Sequence, residues 1–255
     1  FTDAAHVAFD TVTYYPTTDS AAALKRFRAH ELDLQSPVAM ADIGWVRANL
    51  PGVLKVTPSL AVSYVALNME RLKDVRVRRA LNLAIDREAI TQKVLKLGEP
   101  AAYGIVPPNT AHFPGGNVYD FKTMPQSART AEGQRLMREA GFGPTNRLRT
   151  IYMIRSTAAP SARAVAAALQ QMFALAYVDI SIIPTDAQVF YKQIQEHDFD
   201  VAQPGWQADF NDASNFLDLF RTGGGNNWGA YSNPAFDRML APAQDDTGLG
   251  SRGRK

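Results

Sequence analysis

From Arg149 to Gln203 the hydrophobic pattern changes period four times, and this restricts the fold more than anything else in the chain. RTIYMI (149–154), VDISII (178–183) and FDVAQ (199–203) are short, apolar, and carry β-branched or aromatic residues, as strands do. Between them, SARAVAAALQQMFALAY (161–177) and DAQVFYKQIQEH (186–197) repeat apolar residues at helical spacing. A helix laid between two strands returns the chain to the end it started from, so such strands pair in parallel. The expected class is α/β, an alternating sheet-and-helix layer with some parallel pairing.

The remaining segments add elements to this frame. VAFDTVTYY (Val7–Tyr15), PGVLKVTPS (51–59) and AVSYVALNM (Ala61–Met69) read as strands. Asp19 or Ser20 caps a first helix, Asp74 caps one over VRVRRALNLAI, and Asp86 caps one over REAITQKVLKL that Gly98 closes. ARTAEGQRLMREAGF is a helix ending at Gly141, and Pro234 opens a last helix, PAFDRMLAPA. From Pro100 to Pro125 the chain is rich in Pro, Gly and Asn, which predicts a long irregular segment of the kind ordered proteins keep for a role. With 255 residues, 46% of them hydrophobic, the chain can bury one large core or two smaller ones, and its weakest seam lies at Ser59–Ala61.

Several chemistries find no support. A net charge of +2 gives no nucleic-acid footprint and no polybasic membrane tether. No apolar run approaches the roughly 20 residues that span a bilayer. Without cysteine there is no disulfide, thiolate nucleophile or Cys-ligated metal. His6, His30, His112 and His197 have no close ligand spacing, so no metal site is expected, and no GxSxG elbow occurs. The glycine-rich TGGGNNWG (222–229) lacks the Lys-Ser/Thr of a phosphate loop and reads as a flexible loop, and the arginines of VRVRR (75–79) as a solvated face or structural ion pairs.

One stretch stands apart, QPGWQADFNDASNFLDLF (203–220). It leaves a strand end, the place where α/β folds hold ligands. Gly205 lets the chain bend with its backbone exposed, and Trp206 sets a flat aromatic beside it, an arrangement suited to an extended ligand. Between Asp198 and Arg221 there is no Lys or Arg, so the local sequence offers no counter-ion to Asp200, Asp209, Asp212 or Asp218. Asp212 is placed to cap the helix ASNFLDLF, whereas for Asp209 the alternatives are backbone N–H groups that hold the carboxylate or a ligand cation that completes the pair. Asp209 and Asp212 also form the one candidate acid pair for hydrolysis, a poor one because loop acids three apart with one serving as a cap do not face each other.

KDVRVRRALNLAIDREAI, VPPNT, LMREAGF, FDVAQPGWQADFNDASNFLDLF and YSNPAFDRML follow in this order. Together they resemble the extracytoplasmic solute-binding proteins of peptide-type ABC importers, the oligopeptide and dipeptide group. The resemblance implies a periplasmic-binding-protein-like lobe (type II, the large peptide-binding cluster) with a mixed sheet flanked by helices. It implies that residues 61–255 form the second lobe and 1–60 a piece of the first lobe with the crossover. The implied function is capture of extended peptides in a cleft between two lobes and delivery to ABC permease transmembrane subunits. The implied setting is the periplasm, or an extracytoplasmic, membrane-associated position, peripheral to the membrane only through the permease. No catalysis, cofactor or metal is implied. In the family the strand before Gly-Trp pairs with the peptide backbone, the Trp lines a side-chain pocket, and the Asp holds the α-amino group; here these positions are Gly205, Trp206 and Asp209. Gln203 and Pro204 depart from the pattern, since enteric oligopeptide binders carry an Arg just before Gly-Trp that meets the ligand carboxylate. Relatives also bind oligosaccharides, opines and nickel or haem chelates, and Trp206, Trp228 and Phe210 suit sugar stacking. Family members are longer, and both ends of the chain read as cuts through a longer protein; the N-terminus has neither a basic start nor the apolar run of a signal peptide.

Overall fold

The computed structural model describes residues 6, 8–17, 19–57, 59–115, 118–156 and 160–245. Residues from 246 on lie outside them, as does Val7. The chain divides into two compact units, Phe1–Thr57 and Pro58–Lys255.

The first unit carries two helices, α1 (Ser20–Arg28) and α2 (Met40–Asn49). Asp19 caps α1 by accepting from Ala21 N–H at 2.9 Å and Ala22 N–H at 3.1 Å. Residues 8–15 are exposed and form no strand, although their alternation predicts one, and 51–57 form none either. Alternation alone makes no strand: the ladder needs a neighbour, and among the described residues neither segment has one.

The second unit is mixed α/β, built on a four-stranded sheet of β2 (Ala66–Leu67), β3 (Leu148–Arg155), β4 (Val178–Thr185) and β5 (Val201–Ala202), in the order β2-β5-β3-β4. β3 runs parallel to β4 and to β5, while β2 is antiparallel to β5. The crossover from β3 to β4 carries α6 (Pro160–Leu175) outward, and the crossover from β4 back to β5 carries α7 (Ala187–Gln195) across β3. Two right-handed crossovers in opposite directions put their helices on opposite faces. The core divides accordingly. On one face Tyr152, Ile154, Val178 and Ile180 pack with α6, α3 (Val75–Ala84) and α5 (Gln126–Glu139). On the other, Met153, Ala66 and Ala202 pack with Phe190 and Ile194 of α7 and with Trp228. α3 and α5 cross closely at Gly133, where a Cβ would stand 3.3 Å from the Ala80 carbonyl oxygen.

Asp74 and Asp86 cap as expected, accepting from Arg76 N–H at 2.8 Å and Ala89 N–H at 2.9 Å. The second of these helices differs from its expectation. It is a single turn, α4 (Arg87–Ala89), that widens into a π-helix over Ile90–Leu95, and Lys96 rather than Gly98 takes the left-handed closing position at φ 57°. The segment 100–125 is irregular but anchored. Tyr103 is buried, its hydroxyl donates to Glu88 at 2.8 Å and accepts from Arg129 at 2.6 Å, and the Arg87 guanidinium lies 5.1 Å from its ring. The VRVRR arginines serve structural bonds: Arg76 to Asp74, Arg78 to the Leu72 and Lys73 carbonyls, Arg79 to Asp120.

A candidate ligand site at the open edge of a ribbon

β1 (Ala61–Ser63) pairs antiparallel with β6 (Gly205–Gln207), setting Val62 opposite Trp206. The same register continues through β2 and β5, where Ala66 faces Ala202. It also extends past both ends, with Ala208 N–H donating to the Leu60 carbonyl and Asn68 N–H to the Asp200 carbonyl. One antiparallel ribbon thus runs from Leu60 to Asn68, interrupted only where Tyr64 and Val65 face Pro204 and Gln203. Proline has no N–H to give, which breaks the ladder there. The Pro204 carbonyl accepts from Tyr64 N–H at 3.4 Å, so the missing donor lies on the side of Tyr64. Pro204 therefore takes no donor from the opposite edge of the chain. Backbone groups alternate sides along a strand, so Gly205 and Gln207 turn their N–H and C=O away from β1. On that side β6 has no strand partner among the described residues.

The predicted residues take distinct places. Gln203 is half-buried and internal: its side-chain oxygen accepts from the Tyr152 hydroxyl at 3.1 Å and its N–H donates to the Met153 carbonyl at 3.1 Å. Gly205 is exposed, and a Cβ there would stand at an ordinary 3.5 Å from the Val62 oxygen, so neither crowding nor dihedral demands glycine. Trp206 is half-buried. Its indole N–H donates to Asn215 Oδ1 at 2.7 Å, and its ring meets Trp228 edge-on at 6.3 Å. Tyr64 stacks on Trp228 at 6.5 Å, and Tyr191 lies against it at the same distance. Burial pushes the Tyr64 phenol well above its ordinary range. Trp228 itself is 7% exposed, which removes it from the sugar-stacking surface its sequence position suggests.

Of the acids without local counter-ions, three are satisfied. Asp200 is reached by Arg71, Thr150 Oγ1 and Ile151 N–H. Burial pushes its carboxyl up, but those hydrogen bonds outweigh burial and hold it below its ordinary value. Asp218 pairs with Arg221 at 2.9 Å, and Asp212 accepts from Ser214 N–H at 2.9 Å and from its Oγ at 2.7 Å, just ahead of α8 (Ser214–Leu217), whose N-cap position is Ala213 rather than the expected Asp212. Asp209 is exposed, and its carboxylate has no hydrogen bond or ion pair with any described residue. Its loop is nevertheless pinned, because Asn211 Oδ1 accepts from Ala111 N–H at 2.7 Å, tying it to the long irregular segment. Asp200→Asn should destabilise the fold by about 1–2 kcal/mol at neutral pH. A depressed folded-state pKa gives stability that is present above the ordinary carboxylate range near 4 and lost as pH falls through the folded value. Urea unfolding of wild type and variant should therefore converge in acid.

Sequence reading overlooked Arg155. It ends β3 two residues past Met153, which is opposite Ala202; Pro204 is likewise two past Ala202, so the arginine emerges beside the ribbon. Arg155 is exposed, lies 5.9 Å from the Tyr191 ring centroid, and makes no hydrogen bond or ion pair with a described residue. The signal was its place at the carboxyl end of a strand in an α/β sheet. The open strand edge, the aromatic wall, and a carboxylate and a guanidinium without partners among the described residues make this the candidate ligand site. Among the described residues there is no group of three His, Asp or Glu that would hold a metal ion, and no helix is long and apolar enough to cross a membrane.

Residues 1–228 match the family model described as bacterial extracellular solute-binding proteins, family 5, middle region. The periplasmic murein peptide-binding protein MppA of Escherichia coli is 29% identical over 252 residues, 98% of this chain and 47% of that protein. The probable deoxycholate-binding periplasmic protein YgiS of the same organism is 30% identical over 249 residues, 97% of this chain and 46% of that protein. The solved structure of Haemophilus influenzae OppA in complex with RPPGFSPFR superimposes with a TM-score of 0.82 at 26% identity, covering 92% of this chain and 47% of that one. The chain spans about half the length of the curated relatives it matches.

Proposed function

The chain belongs to the bacterial extracellular solute-binding proteins of family 5, and from this premise we propose that it is the ligand-capturing part of a periplasmic ABC-importer receptor for short peptides. Residues 61–255 act as the second lobe, and 1–60 supply part of the first lobe with the crossover. The protein carries ligand to the permease and performs no chemistry on it.

The observation that carries this reading is the Asp209 carboxylate, without a partner among the described residues and two residues beyond the open edge of β6. A peptide lying along that edge exchanges backbone hydrogen bonds with Gly205 and Gln207, a mode that gives affinity with little regard to side chains. Its α-ammonium meets Asp209 in a charge-assisted bond. Gln203 is engaged with Tyr152, so the carboxylate end falls to Arg155, a cation beside the ribbon that bonds to no described residue. An oligosaccharide has no charged ends to match this pair.

Calorimetry on the longest form of the protein containing residues 1–255 tests the reading. Arg155→Ala should weaken a tripeptide with a free carboxylate about tenfold or more and leave the carboxamide form of the same peptide unchanged. Equal loss for both forms would take Arg155 out of the site. Tight binding of an uncharged sugar with no binding of peptide would overturn the peptide reading itself.

A further inference from the structure

Asn215 is 6% exposed and sits in α8, a helix of four residues that follows the ligand loop. Its backbone N–H donates to the Asp212 carbonyl at 3.2 Å, which fixes the residue against the loop. Its side-chain oxygen accepts the Trp206 indole N–H at 2.7 Å. β6 sets the Cα–Cβ direction of Trp206 but leaves the indole free to turn about its side-chain bonds. Two contacts remove that freedom, the Asn215 acceptor and the edge of Trp228 at 6.3 Å. Trp228 is held in turn by Tyr64 and Tyr191. The packing restricts the ring by shape, and the hydrogen bond selects one orientation.

We infer that Asn215 is the positioning residue for Trp206, and that the subsite against this indole selects bulky apolar side chains near the peptide's amino end by shape. The inference rests on the peptide reading above. The only polar atom of the indole is consumed by Asn215, so the ring offers a ligand apolar surface alone. A fixed flat surface rewards a side chain that covers it and gives nothing to a methyl group. A loosened ring loses that difference, because ordering it on binding costs conformational entropy. Asn215 therefore acts on discrimination between peptides, and Asp209 on the affinity of all of them.

Asn215→Leu keeps the volume and removes the acceptor; Asn215→Asp keeps the acceptor. The probes are alanyl-phenylalanyl-alanine and trialanine, titrated into the longest form of the protein containing residues 1–255. Asn215→Leu should reduce the preference for the phenylalanyl peptide about fivefold or more while trialanine affinity stays within about twofold, and Asn215→Asp should keep the preference. An unchanged preference in Asn215→Leu, or equal weakening of both peptides, would overturn the inference while leaving the peptide reading intact. Failure of the wild type to bind either peptide would overturn that reading. The positioning claim has its own ligand-free readout in the indole N–H resonances of the three tryptophans. The Trp206 signal should be protected from solvent exchange in wild type and Asn215→Asp and unprotected in Asn215→Leu. Equal protection in all three proteins would end the claim.

Discussion

Replacing Asp209 by alanine should weaken peptide binding by more than about 1.5 kcal/mol, a factor of ten or more, because hydrogen bonds to charged groups contribute about that much or more. Stability should hardly change. The carboxylate is exposed and bonds to no described residue, so its removal breaks no bond among them. This separates Asp209 from its neighbours, since Asp200 and Asp212 both hold backbone groups. A loss of stability without a loss of affinity would assign Asp209 to the scaffold, and unchanged affinity would remove it from the site.

The largest effect on stability is expected at Asn68. This side chain is fully buried, and all of its bonds reach backbone: its amide donates to the His197 carbonyl at 2.7 Å and the Phe199 carbonyl at 2.8 Å, and its oxygen accepts from Glu70 N–H at 2.9 Å. It clamps the turn before β5 to the end of β2, where the long ribbon closes. Asn68→Leu keeps the size and leaves the buried Phe199 carbonyl, together with the part-buried His197 carbonyl and Glu70 N–H, without these partners. Each such orphan costs about 1–3 kcal/mol, so the substitution should cost about 3 kcal/mol or more in urea unfolding with an unchanged slope. A cost under about 1 kcal/mol would mean that those groups find water or other partners. The site should suffer too, because β6 continues from the strand this clamp holds.

Much of the fold was legible because it is local. The switching period from 149 to 203 places β3, α6, β4, α7 and β5, and aspartates mark the helix starts at Asp19, Asp74, Asp86 and Asp186. What local pattern does not contain is pairing. Residues 8–15 alternate as well as any strand yet find no partner among the described residues, whereas β5 has two residues and pairs on both sides. The ribbon that carries the site joins segments about 140 positions apart, and Arg71, which satisfies Asp200, stands 129 positions away. Counting charges near Asp200 therefore misses its distant partner, whereas Asp209 makes no hydrogen bond or ion pair with a described residue. The glycine-rich run 222–229 reads as a flexible loop but is fastened by Asn227, whose amide donates to the Arg221 and Tyr231 carbonyls, and it delivers Trp228 into the core. Arg155 was visible as a strand-end residue, but its freedom shows only once the partners of other charges are known.

On the proposed function, Asp209 reads a peptide's charged amino end. The most direct measurement compares one tripeptide with a free and an acetylated amino terminus, titrated into the longest form of the protein containing residues 1–255. The account predicts that acetylation weakens binding about tenfold or more in the wild type and has little further effect in Asp209→Ala. Equal affinity of the two peptides for the wild type would contradict it.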